Sequence, residues 1–309
     1  MKRLVVALGG NTLIRPGERG TIEEQFAHMR EAVAPAARLI RRGYQVVFTH
    51  GNGPIVGNLL LQTEAAYDRA APMPLYVCDA ESQGEIGLLV QQTLENEIGP
   101  DLPIAAVVTQ VLVDPADPAF SNPAKPVGPF YTKAEAMALA AGRGWAVRED
   151  AGRGWRRVVP SPRPLRIVEE DAIRRMAEAG IAVIAAGGGG IPVVRSEAGL
   201  LRGVDAVIDK DLTAALLGAA IGASALLIGT TVEQVCTGYG KPDQVPIGAM
   251  TVKRARAYLE AGEFLPGSMG PKIEAAIDFL EKGGKMVVIT TPDKIEAGFE
   301  GKAGTRIVP

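Results

Sequence analysis

Residues 4–11 read LVVALGGN, five strand-formers running straight into two glycines and an asparagine. Glycines at the end of a buried strand let a backbone approach something closely, because no Cβ stands in the way. The dinucleotide fingerprint G-x-G-x-x-G fails here at the spacing, and G-x-x-x-x-G-K-[ST] occurs nowhere in the chain. A phosphate bound at this loop is therefore held in some other way.

Working outward, the same step from strand to glycine recurs. QVVFT (45–49) leads into HGNGP, AVIAA (182–186) into GGGGIP, and ALLIG (225–229) into TT, while IAAVVTQV (104–111) and MVVIT (286–290) complete the strand candidates. Most are apolar on both faces, as strands covered by helices on each side should be. Between them, residues 21–43, 81–99, 169–180, 211–222, 251–262 and 271–284 carry helical periodicity, and several of these stretches stop at glycine. The succession predicts an α/β fold with a mainly parallel, doubly wound sheet, whose ligands bind outside the carboxyl ends of the strands. LGGN, THGNGP, AAGGGGIP and IGTT all fall there.

Residues 115–164 break the rhythm, being dense in proline and glycine and holding both tryptophans, Trp145 and Trp155. The stretch is too long for an ordinary connection. Its aromatics and the alternation of WRRVVP favour an ordered subdomain with a hairpin.

Composition bounds the function. The 309 residues carry a net charge of −2, which argues against nucleic acid or an anionic membrane as partner and for a small molecule. No apolar run reaches the about 18 residues of a membrane span, and the first expected strand begins at Leu4, so the reading expects a cytoplasmic protein. The two cysteines, Cys78 and Cys236, form no C-x-x-C and sit beside no histidine cluster, so both are read as inert buried thiols and no protein metal site is expected.

Two glycine loops with matching G-N steps, Gly9-Gly10-Asn11 and Gly51-Asn52-Gly53, each end a strand and precede a helical segment. Their N–H groups could grip one polyphosphate, or the glycines could serve turn geometry alone. Three lysines stand in unusual settings: Lys125 among prolines, Lys210 between Asp209 and Asp211, and Lys272 in the first turn of a helix. A cation at a helix start is unfavourable unless an anion sits there too. The aspartates could cap the helix that follows, or a carboxylate could hold two ammonium groups in register. Of the two histidines, His28 reads as solvated in a polar helix and His50 as a loop-orienting residue. So little acid–base equipment suits an acceptor that is already an anion, with lysines, backbone N–H groups and nucleotide-bound Mg²⁺ supplying the catalysis.

Taken in order, VVALGGNTLI, VFTHGNGPIVGN, VCDAESQGEIG, NPAKPVGPFY, VVPSPRP, AAGGGGIPV, VDAVIDKDLTAALL, GYGKPDQ, GSMGPKIEAA and GTRIVP resemble the carbamate kinases of the amino acid kinase superfamily, over essentially the whole chain. The resemblance implies a homodimeric three-layer αβα sandwich spanning 1–309, with 115–164 inserted as a small protruding lid. It implies reversible transfer between ATP and carbamate, giving ADP and carbamoyl phosphate, with Mg²⁺ on the nucleotide. Carried onto this chain, Gly9, Gly10, Asn11, Gly51, Asn52 and Gly53 would cradle the phosphoryl group and carbamate. Lys125 would reach in from the subdomain, and Lys210 and Lys272 would flank the phosphates with Asp211 positioning them, all four acting in catalysis. The nucleotide would lie against Thr230, Val232, Tyr239, Lys241, Met269 and Lys272. Thr12 and Gly229-Thr230-Thr231 depart from the family's pattern without removing a polar group. The rival readings are a kinase of a larger acceptor and a catalytically silent nucleotide sensor.

Overall fold

The computed structural model describes residues 2–309 apart from Pro16, Ala151 and Pro266, and of Asn11 the backbone alone. In chain order the strands are β1 (Arg3–Leu8), β2 (Gln45–His50), β3 (Ile104–Ala106), β4 (Gln110–Val113), β5 (Lys125–Tyr131), β6 (Ala146–Glu149), β7 (Trp155–Val159), β8 (Pro164–Ile167), β9 (Ala182–Ile184), β10 (Ile191–Arg195), β11 (Leu201–Gly203), β12 (Ala225–Gly229), β13 (Val235–Thr237), β14 (Val245–Ile247), β15 (Ala249–Thr251), β16 (Met286–Thr290) and β17 (Thr305–Val308). The helices are α1 (Ile22–Arg41), α2 (Gly53–Ala65), α3 (Leu75–Ile98), α4 (Pro118–Ser121), α5 (Lys133–Arg143), α6 (Glu170–Glu178), α7 (Lys210–Ala220), α8 (Val252–Glu260), α9 (Met269–Glu281) and α10 (Ile295–Phe299).

β1 shows why the chain forms three layers. Its side chains alternate, and all of Leu4 to Leu8 are at most 1% exposed. Val5 and Ala7 enter a core shared with Ala214 and Leu217 of α7 and Ile273 and Ala276 of α9; Leu4, Val6 and Leu8 enter another, with Met29 and Val33 of α1 and Ile86 and Leu89 of α3. A strand apolar on both faces must be covered on both, and each fully buried aliphatic side chain contributes about 1.5–3 kcal/mol. Eight strands share this sheet in the order β15-β17-β16-β12-β1-β2-β9-β3. All its pairs are parallel except β16 with β17. Among the described residues no helix is long and apolar enough to cross a membrane.

The structure departs from the sequence reading in four places. The stretch 104–111 is not one strand: β3 ends at Ala106 in the large sheet, and β4 begins a second sheet, ordered β11-β10-β4-β8. Gln83 fastens the break, its Oε1 accepting from Thr109 N at 2.7 Å and its Nε2 donating to Thr109 O at 3.1 Å. α3 starts at Leu75 behind Pro74, earlier than residue 81. His28 is buried rather than solvated, with Nδ1 3.0 Å from Leu13 O and Nε2 3.2 Å from the Glu18 carboxylate. Cys236 is partly exposed, whereas Cys78 is buried as expected.

Within 115–164 the chain forms α4, α5 and a three-stranded sheet ordered β5-β7-β6. β6 and β7 are the hairpin, pairing antiparallel from Ala146 with Val158 to Glu149 with Trp155. Val127 and Val159 of this sheet pack on Val56 and Leu60 of α2. Lys125, first residue of β5, is thereby turned back toward the main sheet, where its Nζ reaches Asp209.

Candidate active site

β1 and β2 pair in register through Leu8 and His50, so the two glycine loops leave the sheet side by side. Gly51 N donates to Leu8 O at 2.9 Å. A Cβ on Gly51 would stand 2.5 Å from Gly10 N, which is backbone and cannot yield, so the apposition requires glycine. Beside these loops opens a cavity of about 910 Å³ whose lining includes Gly9, Gly10, Gly51, Asn52, Gly53, Lys125, Lys210, Asp211, Thr230 and Lys272. The side chain of Asn11 lies outside the described residues.

The three lysines meet around two aspartates. Asp209 caps α7, its Oδ1 accepting from Asp211 N at 2.9 Å, while its Oδ2 takes Lys125 Nζ at 3.1 Å. Asp211 lies one residue into α7 and is almost wholly buried. Its Oδ1 holds Lys210 Nζ at 2.5 Å and its Oδ2 holds Lys272 Nζ at 3.0 Å. Both of the readings left open for these carboxylates therefore hold, one for each aspartate. Burial pushes the Asp211 carboxyl up, but Lys210 and Lys272 together outweigh it and hold it below the usual carboxylate range. Three ammonium groups against two carboxylates leave one net positive charge, at the N-termini of α7 and α9, where the helix dipoles add to it.

A buried polar layer lies behind the glycine loops. Burial lowers the pKa of His50 to about 4, so it is neutral, and its Nδ1 is 3.3 Å from Gly51 O. Asn52 Nδ2 is 3.1 Å from Asp79 Oδ1 and 2.9 Å from Ser82 Oγ, both on α3. Burial pushes the Asp79 carboxyl up to about 8. Sequence reasoning did not single out Asp79, Ser82 or Gln83. Their signal is three polar residues at helical spacing beside Cys78 and Ile86, on a face that is otherwise core.

At the far end, Thr230 and Thr231 border both the main cavity and a small pocket of about 70 Å³ lined by Val232, Cys236, Tyr239, Met269 and Lys272. Lys241 does not join them. It is exposed on the turn between β13 and β14, where its N–H donates to Gly238 O. A turn that needs its backbone for closure sends a long, well-solvated side chain outward.

The chain belongs to the amino acid kinase family, which residues 2–291 match. Within that family its full-length relatives include the carbamate kinase of Thermococcus kodakarensis, 48% identical with 100% of this chain and 99% of the relative covered. The carbamate kinase of Halobacterium salinarum is 47% identical over 100% of this chain and 99% of its own. The structure is similar to that of Giardia lamblia carbamate kinase bound to AMP-PNP, with a TM-score of 0.91, 44% identity and coverage of 99% of this chain and 98% of that one.

Proposed function

We infer that the protein is a carbamate kinase, an ATP-dependent enzyme that moves a phosphoryl group reversibly between ATP and carbamate. One observation carries the reading beyond the family relationship: a single buried carboxylate, Asp211, holds Lys210 and Lys272 from two helix N-termini within one cavity with two glycine loops. In the forward direction a carbamate oxygen bonds to the γ-phosphorus as the bond to the β–γ bridging oxygen breaks, and ADP leaves with the bond pair. Carbamate is already an anion, so no proton must be removed. That matches a site whose nearby histidine, His50, is buried and is not among the described residues lining the cavity. The barrier is repulsion between anions, which fixed lysines and N–H groups lower without reorganising.

In this reading Gly9, Gly10, Asn11 and Gly51 to Gly53 cradle the transferred group and acceptor, and Thr230, Val232, Tyr239 and Met269 receive the nucleotide. Residues 115–164 act as a lid that carries Lys125. The oxygens of Asp209 and Asp211 are engaged by lysines and a helix N–H, and no cluster of three or more candidate ligands occurs among the described residues. That donor set fits Mg²⁺ held chiefly by nucleotide phosphates and water, where it would neutralise phosphate charge. A homodimer and a cytoplasmic location complete the proposal and rest on the family relationship.

A coupled assay tests it. ADP, Mg²⁺ and carbamoyl phosphate should yield ATP, while ATP with glutamate or UMP should yield no ADP above background. Phosphorylation of a larger acceptor, or nucleotide binding without turnover, would contradict the assignment.

A further inference from the structure

We propose that Asp79 and Ser82 are positioning residues that fix the Asn52 side chain as a hydrogen-bond acceptor, and that Asn52 Oδ1 thereby recognises the amino group of carbamate. The inference rests on the carbamate kinase reading and deepens it.

The orientation of an amide is settled by its neighbours. Ser82 Oγ donates its one proton to Asp79 O at 2.7 Å, so only lone pairs remain for the Asn52 atom 2.9 Å away. That atom must be nitrogen. The second Nδ2 hydrogen goes to Asp79 Oδ1, so both amide hydrogens are committed to the interior. The proton of a neutral Asp79 then lies on Oδ2, which has no partner among the described residues. Gly188 closes the remaining side: at φ +70° it comes so near that a Cβ would stand 2.1 Å from Nδ2. The amide is thus held on two sides.

Oδ1 is the atom left over. Among the described residues it meets no donor, and Asn52 lines the cavity. Lys125, Lys210 and Lys272, which line the same cavity, are donors only. The four oxygens of Asp209 and Asp211 already hold Lys125, Lys210, Lys272 and a helix N–H. Carbamate brings an acceptor end that suits the donors and an NH₂ that does not. A fixed acceptor answers that NH₂ and discriminates against a carboxylate with a methyl group in its place, because a polar group built to pair is costly to leave unpaired.

The test compares carbamoyl phosphate with acetyl phosphate as phosphoryl donors to Mg·ADP, in the wild type, Ser82→Ala and Asp79→Asn. Asp79→Asn places an N–H beside Asn52 and allows the amide to turn over. Ser82→Ala removes only a hydroxyl and keeps the test decisive where Asp79→Asn fails to fold. Wild type should favour carbamoyl phosphate in kcat/KM, and each folded variant should lower that ratio about tenfold, mainly through loss with carbamoyl phosphate. A wild-type ratio near one, or variants that lose both activities in proportion, would overturn the inference and leave the carbamate kinase reading standing. A wild type that makes no ATP from carbamoyl phosphate would overturn both.

Discussion

Asp79 and His50 sit in one buried layer with opposite titration habits, and together they shape stability against pH. Burial holds His50 neutral down to about 4, against an ordinary value of 6.5. Between those limits the unfolded chain binds a proton that the native state does not, so this contribution is complete above 6.5 and is lost as pH falls toward 4. Burial keeps Asp79 protonated up to about 8, against 3.8. Here the native state holds the extra proton, so stability is lost as pH rises from 3.8 toward 8. The two slopes cancel from about pH 4 to 6.5, and above that Asp79 acts alone. Denaturant unfolding should therefore be nearly flat between pH 5 and 6.5 and should lose roughly 1–2 kcal/mol between 6.5 and 8. Asp79→Asn should abolish the later decline. A decline that persists in the variant would show that another group causes it. None of this was visible in the sequence, where Asp79 was not singled out and lay before the expected helix, and His50 passed as a loop residue.

At the scale of elements, the strands buried on both faces were legible: β1, β2, β9, β12 and β16 lie within a residue or two of the apolar runs that announced them. A run of apolar residues cannot, however, say where a strand changes sheet. The division of 104–111 depends on Gln83, which is distant in sequence, and the short strands β15 and β17 have too few residues to show a period. The helix-forming residues around His28 concealed its burial, because the partners are Leu13 and Glu18 in the preceding loop. The site was legible as residue types, since glycine at strand ends and lysine at helix starts contradict ordinary preference. Its pairing was legible only as an open alternative, and the partner of Lys125 was not. The sheet β5-β7-β6 presents Lys125 from the 115–164 segment to Asp209, away from the pair on Asp211. If 115–164 is the proposed lid, Lys125 should serve transfer more than nucleotide binding. Lys125→Ala should cut turnover while leaving ADP affinity, measured by calorimetry, within a few-fold. Wild-type turnover in that variant would refute the lid assignment.

At the scale of the molecule, the sheet order brings the carboxyl ends of β1, β2 and β12 together, and the cavity opens beside their loops. Lys210 and Lys272 come from helices packed side by side over one face of the sheet, and Lys272 reaches Asp211 across 61 residues of sequence. Only the complete fold assembles the charge that phosphoryl transfer needs. We propose that the two lysines then divide the work. Lys272 follows a glycine turn at the start of α9 and borders both the main cavity and the small pocket, so it should bind nucleotide in the ground state as well as during transfer. Lys210, one residue beyond the cap of α7, is placed to follow the migrating group, and a contact made mainly in the transition state lowers kcat with little change in KM. The most direct measurement is steady-state kinetics of carbamate phosphorylation by wild type, Lys210→Ala and Lys272→Ala at saturating Mg²⁺ and matched ionic strength. Lys210→Ala should lose about 10²-fold to 10³-fold in kcat, roughly 3–4 kcal/mol, with KM for ATP within a few-fold, while Lys272→Ala should impair both. A Lys210→Ala enzyme with unchanged kcat and about a tenfold higher KM for ATP would contradict the account.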